Sequence, residues 1–267
     1  MKGGLTLAII NAQNFPRDPR IRKLVIPNRE DEVLLEGDLS QAESMIVAWY
    51  AQERTLMEKY RNREDVHSFT GSIIMERPIT KADKLERTFA KRIVHGSNYN
   101  MQPPKIVEIL LKEMCIAMEV SKARRMQMIY FQNFPRIRTG YHMGIQQELR
   151  DNNRIIRTPV GFARKFYSPM GDELFREAYA FYPQNIVAFI TNQAILKLYG
   201  MGFGKMVVAQ IHDSILMSVP QNQLTTIASS LNTAMTYPIA IKGQELVIPV
   251  DLKAGKNWGE MEDLKRD

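Results

Sequence analysis

Two apolar, β-rich runs, KMVVAQI at 205–211 and ILMSVP at 215–220, are separated only by His212-Asp213-Ser214. A connection this short permits an antiparallel hairpin and little else, because parallel strands need a crossover of a dozen residues or more. The chain must therefore build an antiparallel sheet with Asp213 at a hairpin tip. A second apolar run, EVLLEGDLS at 32–40, ends on Gly37-Asp38 ahead of QAESMIVAWYAQ, whose pattern is helical. Asp38 is thus expected at a strand end as well. If the two strands are neighbours, both carboxylates project from one edge and can bridge two Mg²⁺ ions about 3.5–4 Å apart, as in-line phosphoryl transfer requires. Either Asp taken singly is more often a turn or cap residue.

Around these strands the pattern is mixed. The first 30 residues carry Pro16, Pro19 and Pro27 among several arginines and predict an extended segment. From about 55 to 150 the periodicity is mostly helical, with breaks at Gly71, Pro78, Pro103-Pro104 and Pro135. RIIRTPVGFARKFY at 154–167 predicts a hairpin turning near Pro159–Gly161, and 173–199 returns to helix. A further helix and one strand, ELVIPVDLK, precede a polar tail. This order predicts an α+β fold, an antiparallel sheet backed by helices with an inserted all-helical subdomain.

Within the helical block, KLERTFAKRIVHGSNYNM at 84–101 spaces Arg87, Lys91, His95 and Tyr99 four residues apart, with Thr80 and Asp83 as a capping pair at its start. These side chains follow one helix face for about 18 Å at 1.5 Å per residue. That length suits an extended nucleoside triphosphate, with the two cations toward the phosphates and the two rings toward sugar and base. A solvated basic stripe is the commoner explanation of Arg and Lys at this spacing, but it does not predict rings continuing the line beside Gly96.

Composition narrows the setting. Charged residues are 36 Lys plus Arg against 29 Asp plus Glu, and the resulting +7 attracts polyanions. A hydrophobic content of 45% in 267 residues supports a sizeable core and argues against disorder. The single cysteine, Cys115, cannot pair internally and sits in LLKEMCIAMEV, read as one helix face; a reducing cytoplasm fits it. No apolar run approaches the roughly 20 residues that span a bilayer, and no cleavable signal is visible, so no membrane partner is expected.

These segments together resemble DNA polymerase family A, the bacterial polymerase I-like and phage-type enzymes. DLSQAE (38–43) is similar to the family's motif A, RTFAKRIVHGSNY (87–99) to motif B, and QIHDS (210–214) to motif C. NAQNFPR (11–17), DVH (65–67), TPVGFAR (158–164), FREAYAFYPQNIV (175–187) and AGKNW (254–258) follow in the family's order, so the resemblance covers nearly the whole chain. It implies a palm in two parts, 1–60 and 151–267, around helical fingers at 61–150. It further implies two Mg²⁺ ions on Asp38 and Asp213, with Lys91 also able to protonate the leaving pyrophosphate. Nucleotide contacts would come from Arg87, His67, Gln41, Glu43, His95 and Tyr99, Glu43 filling the space of a ribose 2′-hydroxyl. Arg176, Gln184 and His212 would meet primer and template. The implied activity is template-directed addition of a dNTP to a primer 3′ end with release of pyrophosphate.

Four departures qualify the resemblance: His95 stands where the family has Phe or Tyr, Ser214 replaces the acid that commonly follows the motif C Asp, and Asn100 and Ala180 occupy positions usually Gly and Asn. The family's thumb and 3′–5′ exonuclease lie before the segment matched by NAQNFPR, so a separate chain supplying them is the expected partner beside DNA and dNTP. Two other readings stand: a single-subunit RNA polymerase-like enzyme, disfavoured by the bulk of Glu43, and a polymerase-derived nucleic-acid-binding subunit without catalysis, disfavoured by the intact Asp38, Asp213, Arg87 and Lys91.

Overall fold

In the computed structural model, which describes residues 15–264 apart from Arg17, the centre of the sheet is β1 (Glu32–Leu39). Val33, Leu34 and Leu35 are buried in succession, as expected of a strand covered on both faces. The expected hairpin is β4 (Val207–Ile211) and β5 (Ser214–Pro220), joined by His212 and Asp213 alone. Five of the seven NAQNFPR positions, 11–14 and 17, lie outside the described residues.

The sheet runs β4-β5-β1-β8-β9, with β8 (Val250–Gly255) and β9 (Glu262–Asp263), every pairing antiparallel. Helix α10 (Leu224–Met235) covers one face of it. Contact is so close that a Cβ on Gly37 would lie 2.7 Å from the Met235 sulfur. The other face holds Leu34, Ile211 and Leu216 under Trp258, whose indole N–H donates to Glu36 and whose ring lies 4.0 Å beneath the Arg22 guanidinium. Side chains alternate along a strand, so Asp38 shares the Trp258 face with Leu34 and Glu36, opposite α10. These strands and α10 belong to one packing unit, made of the described residues up to 40 with 187–238 and 247–264.

The second unit comprises 41–186 and 239–246. It contains α2 (Ala42–Ala51), α3 (Arg54–Arg61), α4 (Val66–Met75), α5 (Lys84–Asn98), α6 (Pro103–Met114), α7 (Val120–Asn133), a wide π-helical turn (Ile137–His142) and α8 (Met143–Asp151). The predicted hairpin is present as β2 (Ile155–Arg157) and β3 (Ala163–Lys165). A small hairpin of β6 (Ile239–Ile241) and β7 (Gln244–Leu246) is tied to α2 by the Trp49 indole, which donates to the Glu245 carbonyl at 2.9 Å. Helix α9 (Asp172–Gly200) starts in this unit and carries the chain out of it. Pro183 inside α9 removes the N–H that would bond the carbonyl of Tyr179. The buried Tyr141 hydroxyl donates to that carbonyl instead.

The α+β class and its antiparallel sheet are as expected. Some boundaries differ for local reasons. ELVIPVDLK is not one strand: Pro249 has no N–H for a ladder, and β7 ends before it while β8 begins after it. The helix expected through Cys115 stops at Met114, with Cys115 in the left-handed region and exposed. The segment read as wholly extended holds a four-residue helix, α1 (Pro19–Arg22), started by the Asp18 side chain capping the Arg20 amide.

Candidate active site

The register of β1 on β5 decides where the two expected metal ligands lie. Asp38 is directly opposite Ser214, and the Leu39 amide donates to the Asp213 carbonyl at 3.1 Å. Asp38 and Asp213 therefore leave adjacent strands at the same end of the sheet, each half-buried. Ser214, the residue standing in for a family acid, is buried and spends its hydroxyl on the Ile211 carbonyl. The other neighbour of Asp38 escaped sequence reasoning: Asp251 on β8 is its register partner, so Asp38 has Ser214 on one side and Asp251 on the other. An acidic residue just past Pro249 in an otherwise apolar run was the available signal. Among the described residues no group of three or more His, Cys, Asp or Glu side chains is arranged to hold a metal ion. An oxygen-only pair of carboxylates nonetheless suits Mg²⁺, which keeps several waters and takes one or two carboxylates plus substrate phosphates. His212 in the hairpin turn has φ of 53° and Gln41, three residues after Asp38, has φ of 54°. Left-handed backbone is strained for such residues and recurs at functional sites.

In the second unit, α5 is amphipathic: Phe89, Ala90, Ile93 and Val94 are buried, while Arg87, Lys91 and His95 reach solvent wholly or in part. Asp83 accepts from the Thr80 amide and hydroxyl at 2.8 Å each, so the expected pair forms, but these bonds close the turn before α5, and Asp83 as N-cap gives the helix itself no side-chain bond. Arg87 is already held by Asp65, which takes its Nε at 2.8 Å and its Nη2 at 3.0 Å. Burial pushes the Asp65 carboxyl up, but its bonds from Arg87 and Ser68 outweigh that and hold it at about 2. The salt bridge thus aims the guanidinium and leaves its outer edge for an anion. Two residues after Asp65, in the first turn of α4, His67 is buried, and neither ring nitrogen meets a hydrogen-bond partner among the described residues. Its burial, with the Lys91 and Arg87 cations beside it, lowers its pKa to about 4, so it is neutral at pH 7. Buried polar atoms left unbonded are rare enough to demand a reason, and an absent ligand is one.

At the far end of α5, the Tyr99 hydroxyl donates to Glu43. The His95 ring stands edge-on to Tyr99 at 4.7 Å, with Nδ1 3.7 Å from the same carboxylate. Burial and then Glu43 raise the Tyr99 pKa far above normal, so it remains a donor. Glu43, in the first turn of α2, is thereby fixed by a ring from the motif B helix. Asn100 has φ of 52°, which Asn tolerates better than other non-glycine residues. Around it the Met101 amide donates to the Gly96 carbonyl at 2.7 Å and the Asn100 amide to Ser97 at 3.0 Å. That pair of bonds is a complete Schellman cap, so the missing glycine has not cost the helix its ending. On α9, Arg176 is half-buried and Gln184 exposed, about 12 Å apart along the axis and near one face. The structure thus gathers Asp65 with Arg87 and His67, and Glu43 with His95 and Tyr99; it joins Arg176 and Gln184 by helix spacing only.

The family model for DNA polymerase family A matches residues 2–260. The chain belongs to that family. The thermostable DNA polymerase I of Thermus aquaticus is 26% identical over 96% of this chain and 31% of its own length, and DNA polymerase I of Aquifex aeolicus is 22% identical over 96% and 44%. Among solved structures, the POL domain of Pol1 from M. smegmatis in complex with DNA primer-template and dNTP aligns with a TM-score of 0.79 at 21% identity, covering 94% of this chain and 45% of that one. This family A chain therefore shares the polymerase-domain fold, and it spans about a third to a half of the relatives' lengths. Family A DNA polymerases use divalent metal ions. Among the described residues no helix is long and apolar enough to cross a membrane.

Proposed function

We propose that this chain is the catalytic portion of a template-directed DNA polymerase, adding a dNTP to a primer 3′ end and releasing pyrophosphate. The observation that carries the reading is the β1–β5 register, which brings Asp38 and the Asp213 backbone side by side at one sheet end. Asp38 and Asp213 would hold two Mg²⁺ ions, with Asp251 close enough along the sheet to tune their affinity. When bound, such ions lower the pKa of an attacking hydroxyl and neutralise charge on phosphate oxygens.

The chain's own residues do the rest. Arg87, aimed by Asp65, and Lys91 would grip the triphosphate, and Lys91 would hand a proton to the departing pyrophosphate. Neutral His67 would spend its unbonded ring N–H on a phosphate oxygen. Gln41 and Glu43 would border the sugar, and a Glu43 fixed by Tyr99 is a rigid obstacle to a 2′-hydroxyl, which favours deoxynucleotides. His95 would meet the sugar and Tyr99 the nascent pair. Arg176, Gln184 and His212 would contact primer and template. In domain terms, 1–60 and 151–267 would act as palm and 61–150 as fingers.

Because the chain spans 31% of the Thermus relative, the test runs with and without a polypeptide supplying thumb and 3′–5′ exonuclease. The cytoplasm is the proposed setting, which the exposed lone Cys115 suits. Primer extension with Mg²⁺ should incorporate deoxynucleotides over ribonucleotides and vanish in Asp213→Ala. A folded Asp213→Ala chain that extends primer like the parent contradicts the assignment. Primer-template binding with no incorporation under any metal or partner identifies a non-catalytic family member.

A further inference from the structure

Two consecutive residues on the π-helical turn, Tyr141 and His142, each end on a helix carbonyl that the helix itself cannot satisfy. Tyr141 donates its hydroxyl to the Tyr179 carbonyl, orphaned by Pro183 in α9. His142 places Nε2 2.8 Å from the Asn98 carbonyl at the end of α5. The Schellman bonds satisfy the carbonyls of Gly96 and Ser97, and the Tyr99 amide bonds His95, so Asn98 is the next in line and His142 completes the cap. Since a carbonyl only accepts, the imidazole is the Nε2–H tautomer. His142 is 5% exposed and its ring lies against Tyr179 at 4.5 Å and 33°, so the same side chain touches both helices.

The surroundings are built for this contact. Tyr130 donates to the Asn98 side chain at 2.8 Å, and Gln127 to the Met101 carbonyl at 2.9 Å, so α7 holds the same helix end from a second side. The π-turn is seated by Gly140, where a Cβ would come within 2.4 Å of the Ala51 carbonyl oxygen. Wide turns of this kind are uncommon and often mark functional positions.

We propose that Tyr141 and His142 are positioning residues that tie the end of α5 to the middle of α9. Tyr99, at the nucleotide, and Arg176 and Gln184, at the primer-template, are thereby kept in one fixed relation. The kinetic part rests on the polymerase reading; the structural part does not. Neither residue touches substrate in this scheme, so substitution should change how well a nucleotide is seated more than the chemistry that follows.

The test compares His142→Phe, which keeps a ring and loses the donor, with His142→Gln, which returns an N–H to about the Nε2 position. In the 267-residue chain, His142→Phe is expected to speed amide exchange across 95–101 about tenfold. It should raise KM for dNTP by a similar factor, with kcat and primer-template Kd changed less than about threefold. Tyr141→Phe should act in the same direction, and His142→Gln should restore both readouts. Wild-type exchange rates in His142→Phe, or a Gln variant no better than Phe, overturns the proposal. If the parent extends no primer under any metal or partner while exchange responds as expected, the polymerase reading has failed and this one stands. Should His142→Phe not fold, nitrogen-detected NMR of the parent imidazole decides: a protected Nε2–H supports the tie, and an Nδ1–H tautomer or rapid exchange refutes it.

Discussion

The two groups of candidate residues, one at the sheet end and one along α5, are built by different means. At the sheet end, Asp38 and Asp213 are adjacent because backbone ladders of β1, β4 and β5 make them so, and Asp251 joins the row through β8. Along α5, Arg87 and Tyr99 are oriented by side chains from other elements, Asp65 and Glu43, and the helix end by Gln127, Tyr130 and His142. Backbone register survives the loss of a side chain, whereas a side-chain lattice does not. Substitutions at the sheet end should therefore abolish chemistry and leave folding alone, while those around α5 should mistune binding and disturb local structure together.

The largest separation of the two is expected from Asp38→Ala and Asp213→Ala, each lowering primer extension on the order of 10³-fold or more with Tm held within a few degrees. A Tm collapse would show that the carboxylates carry structural weight, against the comparison. Arg87→Ala should raise KM for dNTP by about one to two orders of magnitude, and Arg87→Lys should recover little of it, because a lysine cannot accept the two-point hold of Asp65. Glu43→Ala should relax exclusion of ribonucleotides by about 10–200-fold, the range set by one filled pocket position, and should loosen Tyr99. Competing incorporation assays read it.

At Gly37, whose Cβ would face α10 and not the carboxylate row, the expected damage is structural: Gly37→Ala drives a methyl toward Met235 and Leu231 and should cost about 1–3 kcal/mol by urea unfolding. The smallest effect is on pH dependence. His67 is about 6.5 when unfolded and about 4 when folded, so the unfolded chain takes up the proton first. Its contribution is complete above pH 6.5 and is lost as pH falls toward 4. His67→Gln should flatten the change in urea midpoint across that window relative to the parent.

The same contrast explains what was legible in the sequence. The β4–β5 hairpin and the end of β1 could be read because apolar runs, Gly37 and a two-residue turn are local signals. Although Thr80 and Asp83 bond each other in the turn before α5 and do not cap it, the α5 stripe was readable as a helix face. Its orienting partners were not, since Asp65, Tyr130 and His142 are 22, 32 and 44 residues from the positions they hold. Nothing in the neighbourhoods of Tyr130 and His142 marks them, and Asp65 was read within DVH without any tie to Arg87. Asp251 went unread because Pro249 splits ELVIPVDLK, and only the β1–β8 register puts it opposite Asp38. Tyr141 becomes intelligible only beside Pro183, an apparent fault in α9 that another segment repairs.

The shared use of two carboxylates from two strands is tested most directly by a double-mutant cycle in single-turnover primer extension, with Asp38→Asn, Asp213→Asn and both together. If the pair acts as one unit, each single change should lose nearly as much rate as the double. Losses that multiply, so that the double variant falls by the product of the two single factors, would mean the aspartates act independently and would contradict a common metal cluster.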